Sequence, residues 1–439
     1  MWINKSNVEM LYTPKKKSFR KAAFETVKKY AIKIAKKNDA FRKMSRKILL
    51  NSGLKSYEQI KASTKTDEKV ILFSTFDGRS YGDSPKAIYE YMLTDERFKD
   101  YTFIWAFREP RDFVFVLDNA NTYIVQTGTK DYETACATAK YWFYNYRMTD
   151  HIYPKDDQVY IQLWHGTPLK RLGYDISISD NVMNSKSEIR DKYKTDADKF
   201  KYILAPSHFA AEKFISAWNL QEIGKTDAVL ELGYPRNDFL TNYTKHDVEK
   251  IKQDLGIEEG KKIILYAPTW RDNQHKAGIG YTYKTEVDFD RLRKELSDEY
   301  IILFRAHYLV ANSFDFNRYK GFLYDVSKVN DINHLYVISD ILVTDYSSVF
   351  FDYANLKRPE IFYMYDLEAY GSEIRGFYID IDELPGPIVK TEDELINAIK
   401  SAQKNDAYNE KYEKFNAKFN YLDDGQAAKR VAEAVIEEL

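Results

Sequence analysis

Between Ser18 and Lys37 the apolar residues Phe19, Ala23, Val27, Tyr30 and Ile34 step by three or four, drawing the single stripe of an amphipathic helix. Lys21, Lys28, Lys29, Lys33, Lys36 and Lys37 lie largely off that stripe. Asn38-Asp39 breaks it, and a second short basic helix is expected over about 41–50, stopping at Gly53. After Thr64-Lys65 the pattern changes to short apolar runs alternating with helical periods. Strands are expected over 70–76, 101–107, 123–125, 160–163, 202–205 and 229–232. Helices are expected over 84–92, about 132–140, and from a Ser207 cap to Trp218. A polar stretch, about 242–261, interrupts the series, which restarts with strands over 263–267, 300–304, 341–344 and 361–364. Such alternation specifies parallel, doubly wound sheets. The expected class is therefore α/β, with two Rossmann-like domains facing a cleft and a short basic N-terminal helical arm. The arm would occupy 1–64, the first domain 65–243, the second 244–425, and a terminal helix 426–439 that could pack back on the first domain.

Composition narrows the setting. In a chain of 439 residues, 44% hydrophobic and 30% charged residues specify a globular protein. The one cysteine, Cys136, excludes a disulfide framework and a cysteine-built zinc site, and fits a reducing compartment. No apolar run approaches the ~20 residues of a membrane span, and the N-terminus has no signal-peptide core, so a cytoplasmic location is expected. The net charge of -1 hides an asymmetry. Residues 1–50 carry 15 Lys and Arg against Glu9, Glu25 and Asp39, a net of +12, while the remainder carries 51 basic and 64 acidic residues, a net of -13. The arm thus calls for an anionic partner. A basic amphipathic helix is the usual interfacial anchor, which favours an anionic membrane surface on the inner face of the cell membrane. The expected contacts are Phe19, Lys21, Val27, Lys28, Lys29, Lys33, Ile34, Lys36 and Lys37. Packing of the stripe on the body is the plainer alternative. Nucleic acid is not expected, because the body shows no basic patch or recognition motif.

Ligands of doubly wound sheets bind beyond the carboxyl ends of strands, and the polar motifs fall there. Trp164-His165-Gly166-Thr167-Pro168 follows one strand, where Gly166 and Pro168 shape a tight turn and His165 has a near-neutral pKa suited to a general base. A histidine that merely bonds its own turn is equally compatible with that string. Arg305-Ala306-His307 closes another strand and puts two donors on one side of the chain, as a pyrophosphate would need. Thr344-Asp345-Tyr346-Ser347-Ser348 precedes a helical run, so Ser347 and Ser348 are either anion ligands or plain helix caps. Asp352 is a lone carboxylate in an apolar helix, either paired or functional. Two Pro-constrained turns add Arg236, Pro268 and Thr269. The Asp-x-Asp triplets (Asp196/Asp198, Asp288/Asp290, Asp380/Asp382) and the remaining histidines show no metal-ligand spacing, so no obligatory metal or cofactor is expected. Glycine-rich nucleotide loops and the GxSxG elbow are missing too.

Together these motifs resemble the CDP-glycerol:poly(glycerophosphate) glycerophosphotransferase family, the teichoic acid polymerases and primases of Gram-positive bacterial cell walls. The resemblance spans about 70–398. It is densest in Trp164–Pro168 and over 331–365, and Phe76-x-Gly78-Arg79-Ser80-Tyr81-x-Asp83-Ser84-Pro85 resembles the family's first-domain loop. It implies a two-Rossmann glycosyltransferase-B fold, transfer of a polyol phosphate from CDP-glycerol or CDP-ribitol to a lipid-linked (undecaprenyl-type) acceptor, and release of CMP. It further implies catalytic roles for His165 and His307. Donor contacts are implied at Trp164, Gly166, Thr167, Pro168, Arg236, Pro268, Thr269, Arg305, Ser347, Ser348 and Asp352. The family's long polymerases carry a large extra N-terminal region, whereas about 65 residues precede the first strand here, so single addition and short polymerisation both stay open. Glycerol and ribitol donors share the cytidine and pyrophosphate and are not distinguished. A nucleotide-sugar glycosyltransferase on the same fold, and a non-catalytic membrane-bound scaffold, remain the rival readings.

Overall fold

The computed structural model describes residues 2–12, 39–176, 186–269, 287–305, 314–367, 376–402 and 408–436, with the short backbone pieces 275–276 and 280–281. The apolar stripe of 18–37 and the contacts assigned to it lie outside the described residues. The helix after it differs from expectation: it runs unbroken over Asp39–Ser63. Gly53 does not stop it, because it marks a close approach: a Cβ there would stand 2.8 Å from His151 Cγ. Farther along, the helix buries Tyr57 in the first domain's core.

That domain is built on seven parallel strands: β1 (Asp67–Ser74), β2 (Thr102–Phe107), β3 (Thr122–Gln126), β4 (Ala139–Tyr144), β5 (Val159–Gln162), β6 (Tyr202–Ala205) and β7 (Val229–Glu231). Their order is β3-β2-β1-β4-β5-β6-β7, so the chain reverses its direction of travel between β1 and β4. Strand β4 was not anticipated. The helix before it ends at Thr138, and all of β4 except Lys140 is buried, so the run lacks the alternation that marks a half-exposed strand.

The second sheet holds β8 (Lys262–Ala267), β9 (Tyr300–Phe304), β10 (Leu323–Asp325), β11 (Ile341–Thr344), β12 (Glu360–Tyr363) and β13 (Ile388–Val389), in the order β10-β9-β8-β11-β12-β13. Its pairings are likewise parallel. The fold is thus α/β with two Rossmann-like domains. The polar stretch between the sheets contains a helix, Lys245–Asp254, with a Thr244/Asp247 capping box and Ile251 as its buried residue.

The chain then returns to where it began. Ala428, Val431, Ala432, Val435 and Ile436 of the last helix are buried with Ile71, Phe73 and Trp105 in the first domain's core. Asp238, just past β7, fixes the helix's entry by accepting from Ala427 N at 2.9 Å and Ala428 N at 2.8 Å. Two crossings therefore join the domains, and the carboxyl ends of both sheets meet across the cleft.

Candidate functional site

A cavity of about 180 Å3 lies between those strand ends. Phe76, Asp83 and His165 line it from the first domain, Arg305, Tyr336 and Ser348 from the second, with Arg236 and Asp352 between them. The loops on the first-domain side are conformationally costly. Phe76 and Asp77 take φ +47° and +59°, and Trp164 takes φ +52°. A left-handed tryptophan persists only where packing over-determines it. Here its indole sits edge-on to Trp218, with ring centroids 4.8 Å apart.

Next in the chain, His165 makes one decisive contact: Nδ1 lies 2.7 Å from the Asn145 carbonyl oxygen. A carbonyl only accepts, so Nδ1 carries the proton and the neutral ring keeps its lone pair at Nε2. Burial pulls the imidazole below its ordinary pKa, against the Asn145 carbonyl and Asp83, which favour the charged form. Asn145 in turn accepts the Phe76 N–H at 2.7 Å through Oδ1. The ends of β1, β4 and β5 are thereby tied into one unit.

Arg236 and Asp352 bond to each other. The Arg236 Nη2 donates to both Asp352 oxygens at 2.9 and 2.7 Å, while Nη1 donates to Asp83 Oδ2 and the His165 carbonyl, each at 3.1 Å. Both line the cavity expected to take the donor, and within it Asp352 is a paired carboxylate while Arg236 bridges the two domains. Burial opposes the guanidinium's charge, but Asp352 and Asp83 outweigh it and hold Arg236 well above its ordinary value. Burial also pushes Asp352 up, against the pull of Arg236. Beneath them Asp423, which burial raises to about 7, accepts from Asn237 at 2.7 Å and Asn355 at 2.9 Å. A second bridge, Lys86 to Asp331 at 2.7 Å, closes another edge of the cleft.

Arg305 behaves differently. It donates to the Val326 and Val329 carbonyls at 3.2 and 3.0 Å, and no carboxylate among the described residues forms an ion pair with it. Burial draws its pKa down, the mark of a cation lacking a compensating anion. The plain cap reading of Ser348 fails: it holds the N-cap position of the helix Val349–Tyr353, yet its side chain makes no cap hydrogen bond. Instead its Oγ faces the histidine's turn, and a Cβ on Gly166 would stand 2.8 Å from it. Ser347 is half-buried beside it.

The other predicted residues stand behind this wall rather than in it. The Trp164 indole belongs to the first domain's aromatic layer, and Thr167 and Pro168 are buried. Gly166 N donates to the Tyr234 hydroxyl at 3.2 Å. Pro268 and Thr269 directly follow β8, and Thr269 N donates to Asp345 Oδ1 at 2.8 Å. His307 lies outside the described residues. Sequence reasoning missed Asn145, Asp331 and Asn333, the last of which lines the cavity and donates through Nδ2 to the Arg236 carbonyl. Locating β4 would have exposed the first, since it directly follows that strand. Among the described residues no group of three or more His, Cys, Asp and Glu side chains is placed to hold a metal ion.

Residues 56–437 match the family model described as CDP-Glycerol:Poly(glycerophosphate) glycerophosphotransferase. A teichoic acid glycerol-phosphate transferase of Staphylococcus aureus is 40% identical over 86% of this chain and 96% of its own. A teichoic acid poly(glycerol phosphate) polymerase of Staphylococcus epidermidis is 38% identical over 84% of this chain, which spans only 50% of that relative's length. The solved wall teichoic acid polymerase TagF superposes with a TM-score of 0.80 at 36% identity, covering 90% of this chain and 97% of that one. A variant of it soaked with CDPG gives 0.79 at 34%, covering 90% and 96%. A poly(ribitol-phosphate) polymerase of Bacillus spizizenii, by contrast, matches 47% of this chain and 33% of its own, at 39% identity.

Proposed function

Because the chain belongs to the CDP-glycerol:poly(glycerophosphate) glycerophosphotransferase family, we propose that it transfers glycerol phosphate from CDP-glycerol to a hydroxyl of a teichoic acid acceptor, releasing CMP. The observation that carries the chemistry is the Asn145–His165 contact, which leaves an unprotonated Nε2 in a half-buried ring at the cavity wall. The acceptor hydroxyl gives its proton to Nε2, and its oxygen attacks the β-phosphorus that bears glycerol. The bond from that phosphorus to the bridging oxygen breaks, and CMP departs with the electron pair. Arg305, with the Ser347 and Ser348 hydroxyls, stabilises the charge that develops on the pyrophosphate oxygens, and the family resemblance adds His307. Arg236 and Asp352 hold the two halves of the site in register. Glycerol is preferred over ribitol because the glycerol-phosphate relatives match most of the chain and the ribitol-phosphate relative about half.

The acceptor is lipid-linked and the protein works at an anionic membrane surface. Supporting the membrane surface, the helix Asp39–Ser63 leaves Met44, Ile48 and Leu49 exposed on a basic segment. The test is mass spectrometry of products formed from CDP-glycerol or CDP-ribitol on a lipid-linked disaccharide. Additions of glycerol phosphate are expected. Ribitol phosphate alone would overturn the donor, and no addition from either would overturn the function.

A further inference from the structure

A second cavity, of about 300 Å3, opens in the first domain beside His165. Asp77 beyond β1, Tyr146 and Arg147 beyond β4, and Lys192, Asp196 and Lys199 of the helix Lys186–Lys199 form its wall. It therefore lies where β1 and β4 part, the place at which doubly wound sheets receive ligands. Tyr146 links it to the histidine, with ring centroids 6.1 Å apart, and the Arg79 guanidinium lies 5.5 Å from the same Tyr146 ring.

The wall's charges are not equally available. Asp77 is paired with Arg108, and Asp196 accepts the Trp218 indole N–H at 2.9 Å. The Lys199 amine donates to the Thr149 and Asp150 carbonyls at 2.8 and 3.0 Å, and burial lowers its pKa to about 8. Arg147 is half-buried, lies 5.6 Å from the Tyr193 ring, and has no ion pair and no hydrogen-bond acceptor among the described residues. Arg79 uses Nε on the Phe76 carbonyl at 2.7 Å and has no described carboxylate partner. Arg147 in the cavity wall beside Tyr193, and Arg79 against the Tyr146 ring that lines the same cavity, offer guanidinium forks suited to a bidentate oxyanion.

We propose that this cavity is the subsite for a phosphodiester of the acceptor, with Arg147 as its main ligand and Arg79 as its second. This rests on the phosphotransfer reading, whose product chain places a phosphodiester three carbons from each terminal hydroxyl. With the phosphate held by Arg147, that hydroxyl is directed to His165. Arg147 also adds its charge to burial in keeping the imidazole neutral. Arg147 and Arg79 are then specificity-determining residues, selecting an acceptor that already carries glycerol phosphate.

The test uses the full chain and a synthetic tri(glycerol phosphate), measuring its binding by calorimetry and its KM as acceptor. Losing one charge-assisted hydrogen bond predicts about a ten- to hundred-fold weaker binding and a matching rise in KM for Arg147→Gln, with part recovered in Arg147→Lys. Thermal protection by CMP, which reads the donor side of the cleft, should stay at its wild-type value. Arg79 is exposed, so Arg79→Gln repeats the test where folding is not at stake. Unchanged oligomer binding and KM in both glutamine variants, or no oligomer binding by the wild type, would overturn the subsite. Oligomer binding that falls in the variants while the wild type transfers nothing from CDP-glycerol would keep the subsite and sink the phosphotransfer reading.

Discussion

A carbonyl oxygen cannot donate a hydrogen bond, so the 2.7 Å contact from Asn145 obliges His165 to keep its proton on Nδ1. Burial then lowers the imidazole's pKa, and the ring stays neutral to a lower pH than a free histidine would. As a base it works only when neutral, so kcat/KM should be flat through neutrality and fall with acidification. The midpoint should lie below the ordinary ~6.5, and a rate titration with CMP release as the readout checks it. An acid limb above that value would contradict the burial argument. His165→Ala should cost the ~10²–10⁴ in kcat typical of a lost general base while sparing donor protection against thermal unfolding. Arg236 invites a different measurement. Arg236→Met strands two buried carboxylates, Asp83 and Asp352, and should lower the unfolding free energy by about 3–5 kcal/mol in urea at neutral pH. Without its cation, burial raises the folded-state pKa of Asp352 further above its unfolded value, so the deficit should shrink as the pH falls. A deficit independent of pH would assign the loss to packing instead.

Elements decide how closely these residues can approach. The turn after β5 and the short helix after β11 nearly touch, and Gly166 is what lets them. Gly166→Ala sets a Cβ 2.8 Å from Ser348 Oγ and 3.5 Å from Ser348 Cβ, so removing the hydroxyl should relieve most of the clash. The double variant Gly166→Ala/Ser348→Ala is therefore expected to unfold at higher urea than Gly166→Ala alone, a non-additive pair in a double-mutant cycle. Simple additivity would mean the turn moves freely and the two domains are not in register there. The same scale explains what the sequence could reveal. Runs bounded by turns, such as Tyr300–Phe304 and Ile341–Thr344, were found to the residue. Ala139–Tyr144 was not, because it follows a helix directly, with no glycine or proline between, and its aromatic run fits either period. Asn145 was hidden with it. The Arg236–Asp352 pair was visible only as two suggestive residues, since 116 positions separate them and only the fold brings them together.

At the scale of the whole molecule, the terminal helix ties the second domain's chain into the first domain's core, and the leading segment before β1 touches that same domain where it is described, through Ile3 and Tyr57. The described part of that leading segment is divided. Tyr57 is buried at one end of the helix Asp39–Ser63, and Met44, Ile48 and Leu49 are exposed at the other, next to Lys47. Deleting 1–50 would cut through this helix and remove Ile3, which pairs with Ile124 on β3, so side-chain replacement is the cleaner test. The triple variant Met44→Glu, Ile48→Glu, Leu49→Glu alters exposed positions and should leave the unfolding midpoint within the small range typical of surface changes. Its effect on vesicles should be large. Three apolar contacts are lost from the interface, and three negative charges are added to a segment whose Lys and Arg each contribute about 1 kcal/mol near an anionic leaflet. Sedimentation with phosphatidylglycerol vesicles should fall sharply, and the binding that remains should vanish with added salt as the Debye length shortens. Activity on a soluble acceptor should persist, because the cleft is untouched. Equal sedimentation of variant and wild type would separate this helix from the membrane and make its exposed face an ordinary surface.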